Sequence, residues 1–133
     1  MLDDYRIVKK IEVQWRDMDA GLHVNNVVYL KWTESARISY FLDLNNGRYT
    51  QKEDIGPVLA WQDVKYIRPV AFPDTVLVGI DRSEILDDRI VLEAKVYSVT
   101  QDRIVAVSHQ HIVPYDYKRR MKVPLPLTWV YSD

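Results

Sequence analysis

Between Asn25 and about Leu42 the chain reads as one long helix, apolar around most of its girth. Val27, Leu30, Ile38 and Phe41 form a stripe at helical spacing. The other faces are not uniformly polar, because Val28, Tyr29, Trp32, Ala36 and Tyr40 lie there. A helix of this kind needs other structure wrapped around it. Asn25 is placed to cap it, since its side-chain oxygen can accept an orphan first-turn N–H. Asn45-Asn46-Gly47 supplies the stop.

The wrapping material is legible on either side. A first strand is expected over roughly residues 7–16. After a polar loop at 48–56, closed by Gly56-Pro57, the period changes to that of strands. Val58–Arg68, Thr75–Ser83, Arg89–Thr100 and Ile104–Val113 are expected strands, separated by Pro69 and Pro73, by Leu86-Asp87-Asp88 and by Gln101-Asp102. In the third of these, Ile90, Leu92, Ala94 and Val96 alternate with Val91, Glu93, Lys95 and Tyr97. Short links force successive strands to run antiparallel. The tail from Pro114 holds three of the six prolines and is expected to be extended. The fold class is therefore α+β, a five-stranded antiparallel sheet wrapped around one central helix. Such a sheet leaves edges open, and pairing with a second copy would cover one, so a homodimer or homotetramer is expected.

At 133 residues the chain has the length of a single domain, 1–133. A formal net charge of -1 offers no basic excess for nucleic acid. Cysteine is absent, which removes disulfides, thiolate nucleophiles and zinc–thiolate sites. Acidic residues near the start argue against a signal peptide, and no apolar run reaches 18 residues, so a cytoplasmic protein without a membrane span is expected. The final Tyr-Ser-Asp matches no lipidation signal.

The densest polar cluster is Trp15-Arg16-Asp17-Met18-Asp19-Ala20-Gly21-Leu22-His23-Val24-Asn25-Asn26, directly before the helix. A helix N-terminus carries unpaired N–H groups and partial positive charge. Such donors can hold the oxyanion of a tetrahedral intermediate, and a carboxylate nearby can attack a carbonyl or activate water. The same residue types also serve as ordinary turn and cap residues. By themselves they leave both readings open.

Trp15-Arg16-Asp17-Met18-Asp19, His23-Val24-Asn25-Asn26 with Tyr29-Leu30, and Glu34-x-x-Arg37 resemble the signature of the 4-hydroxybenzoyl-CoA thioesterase family. Residues 23–35 are also similar to part of the plant acyl-ACP thioesterases. The likeness extends loosely to Gly56-Pro57, Tyr66-x-x-Pro69 and Asp74. It implies the hotdog fold and hydrolysis of an acyl-CoA or acyl-ACP thioester without a cofactor. It also implies that Asp19, not Asp17, is the catalytic carboxylate, as nucleophile or as general base. The backbone N–H near Asn26 would polarise the thioester carbonyl, with Asn25 beside it as a substrate contact. His23 matches a histidine with a catalytic part in the plant branch. One position departs from the family's order Gly-His-Val-Asn-Asn: Leu22 precedes His23, and Gly21 stands one residue earlier. A positive φ at residue 22 would strain a leucine.

Glu34 lies on the apolar stripe with Arg37 three residues on, a spacing that suits a helix ion pair. Some hotdog thioesterases carry their catalytic acid on this helix, which makes Glu34 the second candidate. Arg82 and Arg89 flank a turn and are candidates for the phosphates of CoA. His109 and His111 share a strand face, but no third ligand stands at a metal-site spacing, so no metal is expected. Trp15, Trp32, Trp61 and Trp129 are expected in the core or at subunit contacts rather than along an acyl tunnel. Two other functions fit a hotdog chain. A hydratase or dehydratase would want Asp-x-Asn-Pro-x-His, which is missing. A non-catalytic acyl-thioester-binding dimer would need no carboxylate at Asp19.

Overall fold

The computed structural model describes residues 2–48 and 55–131. Most of the expected polar loop at 48–56 therefore lies outside the described residues. Strand β1 is Ile7–Glu12, and a single 3-10 turn follows at Trp15–Asp17. Helix α1 is Asn26–Leu44. Strands β2 (Ile55–Tyr66), β3 (Thr75–Ile85), β4 (Ile90–Ser98) and β5 (Arg103–Asp116) follow, then the short β6 (Met121–Lys122) and one helical turn, α2 (Leu127–Val130).

The sheet runs β1-β3-β4-β5-β2, with β6 beside the end of β5, and every pair is antiparallel. It is the expected hotdog arrangement with one extra short strand. β2 and β3 are consecutive in the chain yet do not pair. The link between them, residues 67–74, passes from one side of the sheet to the other. The alternation in β4 holds: Ile90, Leu92, Ala94 and Val96 are all buried. With Val76, Val78 and Ile80 of β3 and Ile112 of β5 they form the face under the helix. Each such large side chain contributes roughly 1.5–3 kcal/mol by leaving water.

The helix buries a different stripe from the expected one. Tyr29, Trp32, Thr33, Ala36 and Tyr40 face the sheet. Val27 and Ile38 are 52% and 47% exposed. Both stripes are apolar at helical spacing, so periodicity alone does not choose between them. Aromatic bulk fills the concave sheet, and Ala36, with no exposed surface, lets the backbones approach. One chain thus wraps the helix on one side only. The tail also departs from expectation. β5 continues through Pro114 to Asp116, whose Oδ1 accepts the N–H groups of Lys118 and Arg119 and turns the chain back into β6. α2 then seats buried Trp129 against Phe41, with ring centroids 5.1 Å apart. Trp32 is buried as expected, whereas Trp15 and Trp61 are exposed. Among the described residues, no helix is long and apolar enough to cross a membrane.

Candidate active site

The segment between β1 and α1 is held by the β2–β3 link. The Val13 N–H donates to the Asp74 carbonyl (2.9 Å), and the Val24 N–H to that of Val70 (2.7 Å). The Phe72 N–H meets the Met18 sulfur at 3.4 Å, and the rings of Trp15 and Phe72 meet edge to face. Asp74 is fixed in turn, because its buried carboxylate accepts from the Thr75 and Thr100 N–H groups and from the Ser98 hydroxyl.

Within this cradle the two acids divide. Asp17 is structural: its Oδ2 accepts the Gln14 N–H at 2.8 Å, and its carbonyl accepts the Asn25 N–H at 2.9 Å. Asp19 opens the turn of a tight loop closed by a Met18–Val24 bridge. The Asp19 N–H donates to the His23 carbonyl (3.1 Å), and the Leu22 N–H to the Asp19 carbonyl (3.0 Å). The Asp19 Oδ1 accepts the Gly21 N–H at 2.9 Å, and the side chain is otherwise open to solvent. A Cβ at residue 21 would lie 3.2 Å from that oxygen, so glycine gives the carboxylate room. The left-handed conformation falls on Leu22, with φ of 62°. The displaced glycine is therefore not the residue that makes this turn, and an exposed leucine carries the strain.

Asn25 caps α1 as expected, its Oδ1 accepting the Val27 N–H at 3.0 Å. The Val28 N–H donates to the Asn25 carbonyl at 2.9 Å. Among the described residues the Asn26 N–H donates to no carbonyl. It is an orphan donor at the positive end of the helix, with the peptide that bears it fixed at its oxygen. The His23 side chain is exposed, and its carbonyl tethers Asp19. The sequence did not single out Tyr66 for this site. Its hydroxyl donates to the Asn26 carbonyl at 3.0 Å, and its ring meets that of Tyr29 edge to face. In the sequence Tyr66 stands out only as part of Tyr66-x-x-Pro69.

Glu34 lies further along α1, about 12 Å from Asn26 at ~1.5 Å per residue. Its side chain is 60% exposed and sits 3.8 Å from the Arg37 guanidinium. Arg37 turns inward and donates to Oε1 of buried Gln110 at 2.9 Å. Burial lowers the Arg37 pKa, and the Glu34 charge works against that shift. Both residues line a cleft of about 330 Å³, with Ile38, Phe41, Pro57 and Tyr117.

Arg82 donates to the Trp129 and Val130 carbonyls, and its charge is felt at Tyr40, roughly 20 Å along the helix from Asn26. Arg89 pairs with Asp88 at 2.8 Å. On the outer face of the sheet His109 lies between Asp63 (3.1 Å) and Glu93 (3.5 Å), and the His111 ring meets Trp61.

The family model of the thioesterase-like superfamily matches residues 13–131. No curated protein matches the chain. Among solved structures, the PA2801 protein of Pseudomonas aeruginosa, a candidate thioesterase, is 27% identical with a TM-score of 0.80, over 91% of this chain and 92% of that one. A thioesterase from Thermus thermophilus, solved with coenzyme A and zinc, is 27% identical with a TM-score of 0.78, over 95% of each chain. A 1,4-dihydroxy-2-naphthoyl-CoA thioesterase from Synechocystis shares the fold at 18% identity, with a TM-score of 0.77 over 92% of this chain and 91% of that one. The match spans the Asp19 loop, the capped helix and strands β2 to β6, and the chain belongs to the thioesterase-like superfamily of thioester hydrolases.

Proposed function

We propose that the chain hydrolyses an acyl-CoA or acyl-carrier-protein thioester to the free acid and thiol, with Asp19 as the catalytic carboxylate. The observation that carries this is an exposed carboxylate, pinned by the Gly21 N–H, in the loop that leads into a helix whose first N–H meets no acceptor among the described residues. The Asn26 N–H polarises the thioester carbonyl and holds the oxyanion as the carbon becomes tetrahedral. Asp19 either attacks that carbon, giving a mixed anhydride that water then cleaves, or takes a proton from the water that attacks. In both routes the C–S bond breaks, the sulfur leaves with the electron pair and is protonated, and the acid is released. His23 and Asn25 flank the same point and shape the loop. Glu34 is the second candidate. Its exposure and its pairing with Arg37 support a structural part for it within one chain. Arg82 and Arg89 are left outside the proposed site, because both guanidiniums have partners within the chain and Arg82 lies near the far end of the helix.

The CoA-bound Thermus neighbour supports a CoA thioester as substrate. A homodimer or homotetramer completes the proposal, since the β2 edge and the outward helix stripe leave Tyr66, Val27 and Ile38 uncovered in one chain. A cytoplasmic location fits a cysteine-free enzyme of CoA thioesters. The test is thiol release from a panel of acyl-CoAs and acyl-carrier-protein thioesters. Turnover of at least one is expected, and release from none would overturn the proposal.

A further inference from the structure

We infer that Tyr66 is a positioning residue for the oxyanion donor, an inference that rests on the proposed role of the Asn26 N–H. The phenol and the Asn25 side chain act on one peptide unit from opposite ends. The carbonyl of the Asn26–Val27 peptide accepts the Tyr66 hydroxyl at 3.0 Å, while its N–H donates to the Asn25 Oδ1 at 3.0 Å. The peptide just upstream is fixed at its oxygen by the Val28 N–H. Residue 26 is thus clamped on both sides, and its own N–H is left without an acceptor among the described residues.

The clamp has a rigid base. Tyr66 is the last residue of β2 and pairs with Ala106 of β5. The next N–H groups, those of Ile67 and Arg68, both donate to the Val105 carbonyl, at 2.8 and 3.2 Å. The ring meets that of Tyr29, centroids 5.1 Å apart, and Tyr29 is buried in the core face of α1. The hydroxyl therefore ties the sheet to the first turn of the helix. The carbonyl has a second lone pair for its helical partner, so this bond adds to the helix rather than competing with it. Bonds at the two ends of one peptide also polarise one another. An oxyanion donor works only if its direction is set before the charge develops, which is what such a clamp provides.

Tyr66→Phe removes the hydroxyl and keeps the ring on Tyr29. On the best acyl-CoA, kcat is expected to fall about tenfold, less than the 10²–10³ loss of a whole donor, with KM within about twofold of wild type. Thermal stability is expected to change little, because Tyr66 is 45% exposed. An unchanged kcat, or a loss confined to KM, would overturn the inference while leaving thioester hydrolysis intact. Amide hydrogen exchange at Val27 reads the clamp with no substrate present, and should speed up several-fold in Tyr66→Phe. Unchanged exchange overturns the clamp even if the protein proves inactive on every thioester, which would be a failure of the proposed function instead.

Discussion

Leu22 shows how closely one residue can be read from sequence. The order Gly21-Leu22-His23 raised the question of a positive φ, and the structure puts it at 62° on the leucine. An L-residue pays roughly 1–2 kcal/mol in this region, and glycine returns part of that gain through its freer unfolded chain. Because the side chain is 61% exposed, little packing is lost on truncation. Leu22→Gly should therefore raise unfolding stability by about 0.5–1 kcal/mol in urea denaturation. A loss of stability of that size would show that Leu22 is held by contacts the strain argument ignores. The division between Asp17 and Asp19 could not be read from spacing, since both are acids two apart before a helix. It depends on the Gln14 and Asn25 N–H groups, which only the folded turn brings to Asp17.

At the scale of elements, the helix cap, the alternation in β4 and the strand sequence were legible because each is a local pattern. The buried face of α1 was not, because two apolar stripes compete and the sheet decides. That choice has a consequence for pH. Tyr29 and Tyr40 lie on the buried stripe, and desolvation raises both phenols above their ordinary value of 10.0. A folded-state pKa above the unfolded one means that folding favours the neutral phenol. The contribution is complete below about pH 10 and is lost as pH rises through the folded-state values. Alkaline titration followed by phenolate absorbance should therefore show a late group of tyrosines that ionises together with loss of the fold. A single transition near pH 10 for every tyrosine, with circular dichroism unchanged, would contradict this burial. The opposite stripe leaves Glu34 at the surface among Val27 and Ile38, beside Arg37 at the expected ion-pair spacing.

For the whole molecule, the sheet order places β1 and β2 at the two ends. The β2 edge and the outward face of α1 are the surfaces a second copy would cover, and exposed apolar groups beside an open edge favour such pairing. Light scattering at micromolar concentration should give at least twice the mass of one chain, and a monomer would contradict that expectation. Sequence reading reached the sheet-and-helix plan and singled out the loop proposed to carry the chemistry. It missed the way the β2–β3 link, through Val70, Phe72 and Asp74, holds that loop in place, since this depends on contacts between segments far apart in the chain. The most direct test compares kcat for Asp19→Asn and Glu34→Gln with wild type on the best acyl-CoA. A loss of at least about 10²-fold in Asp19→Asn, with Glu34→Gln within a few-fold of wild type, is expected for a catalytic carboxylate at Asp19. An Asp19→Asn enzyme that hydrolyses at the wild-type rate would contradict it.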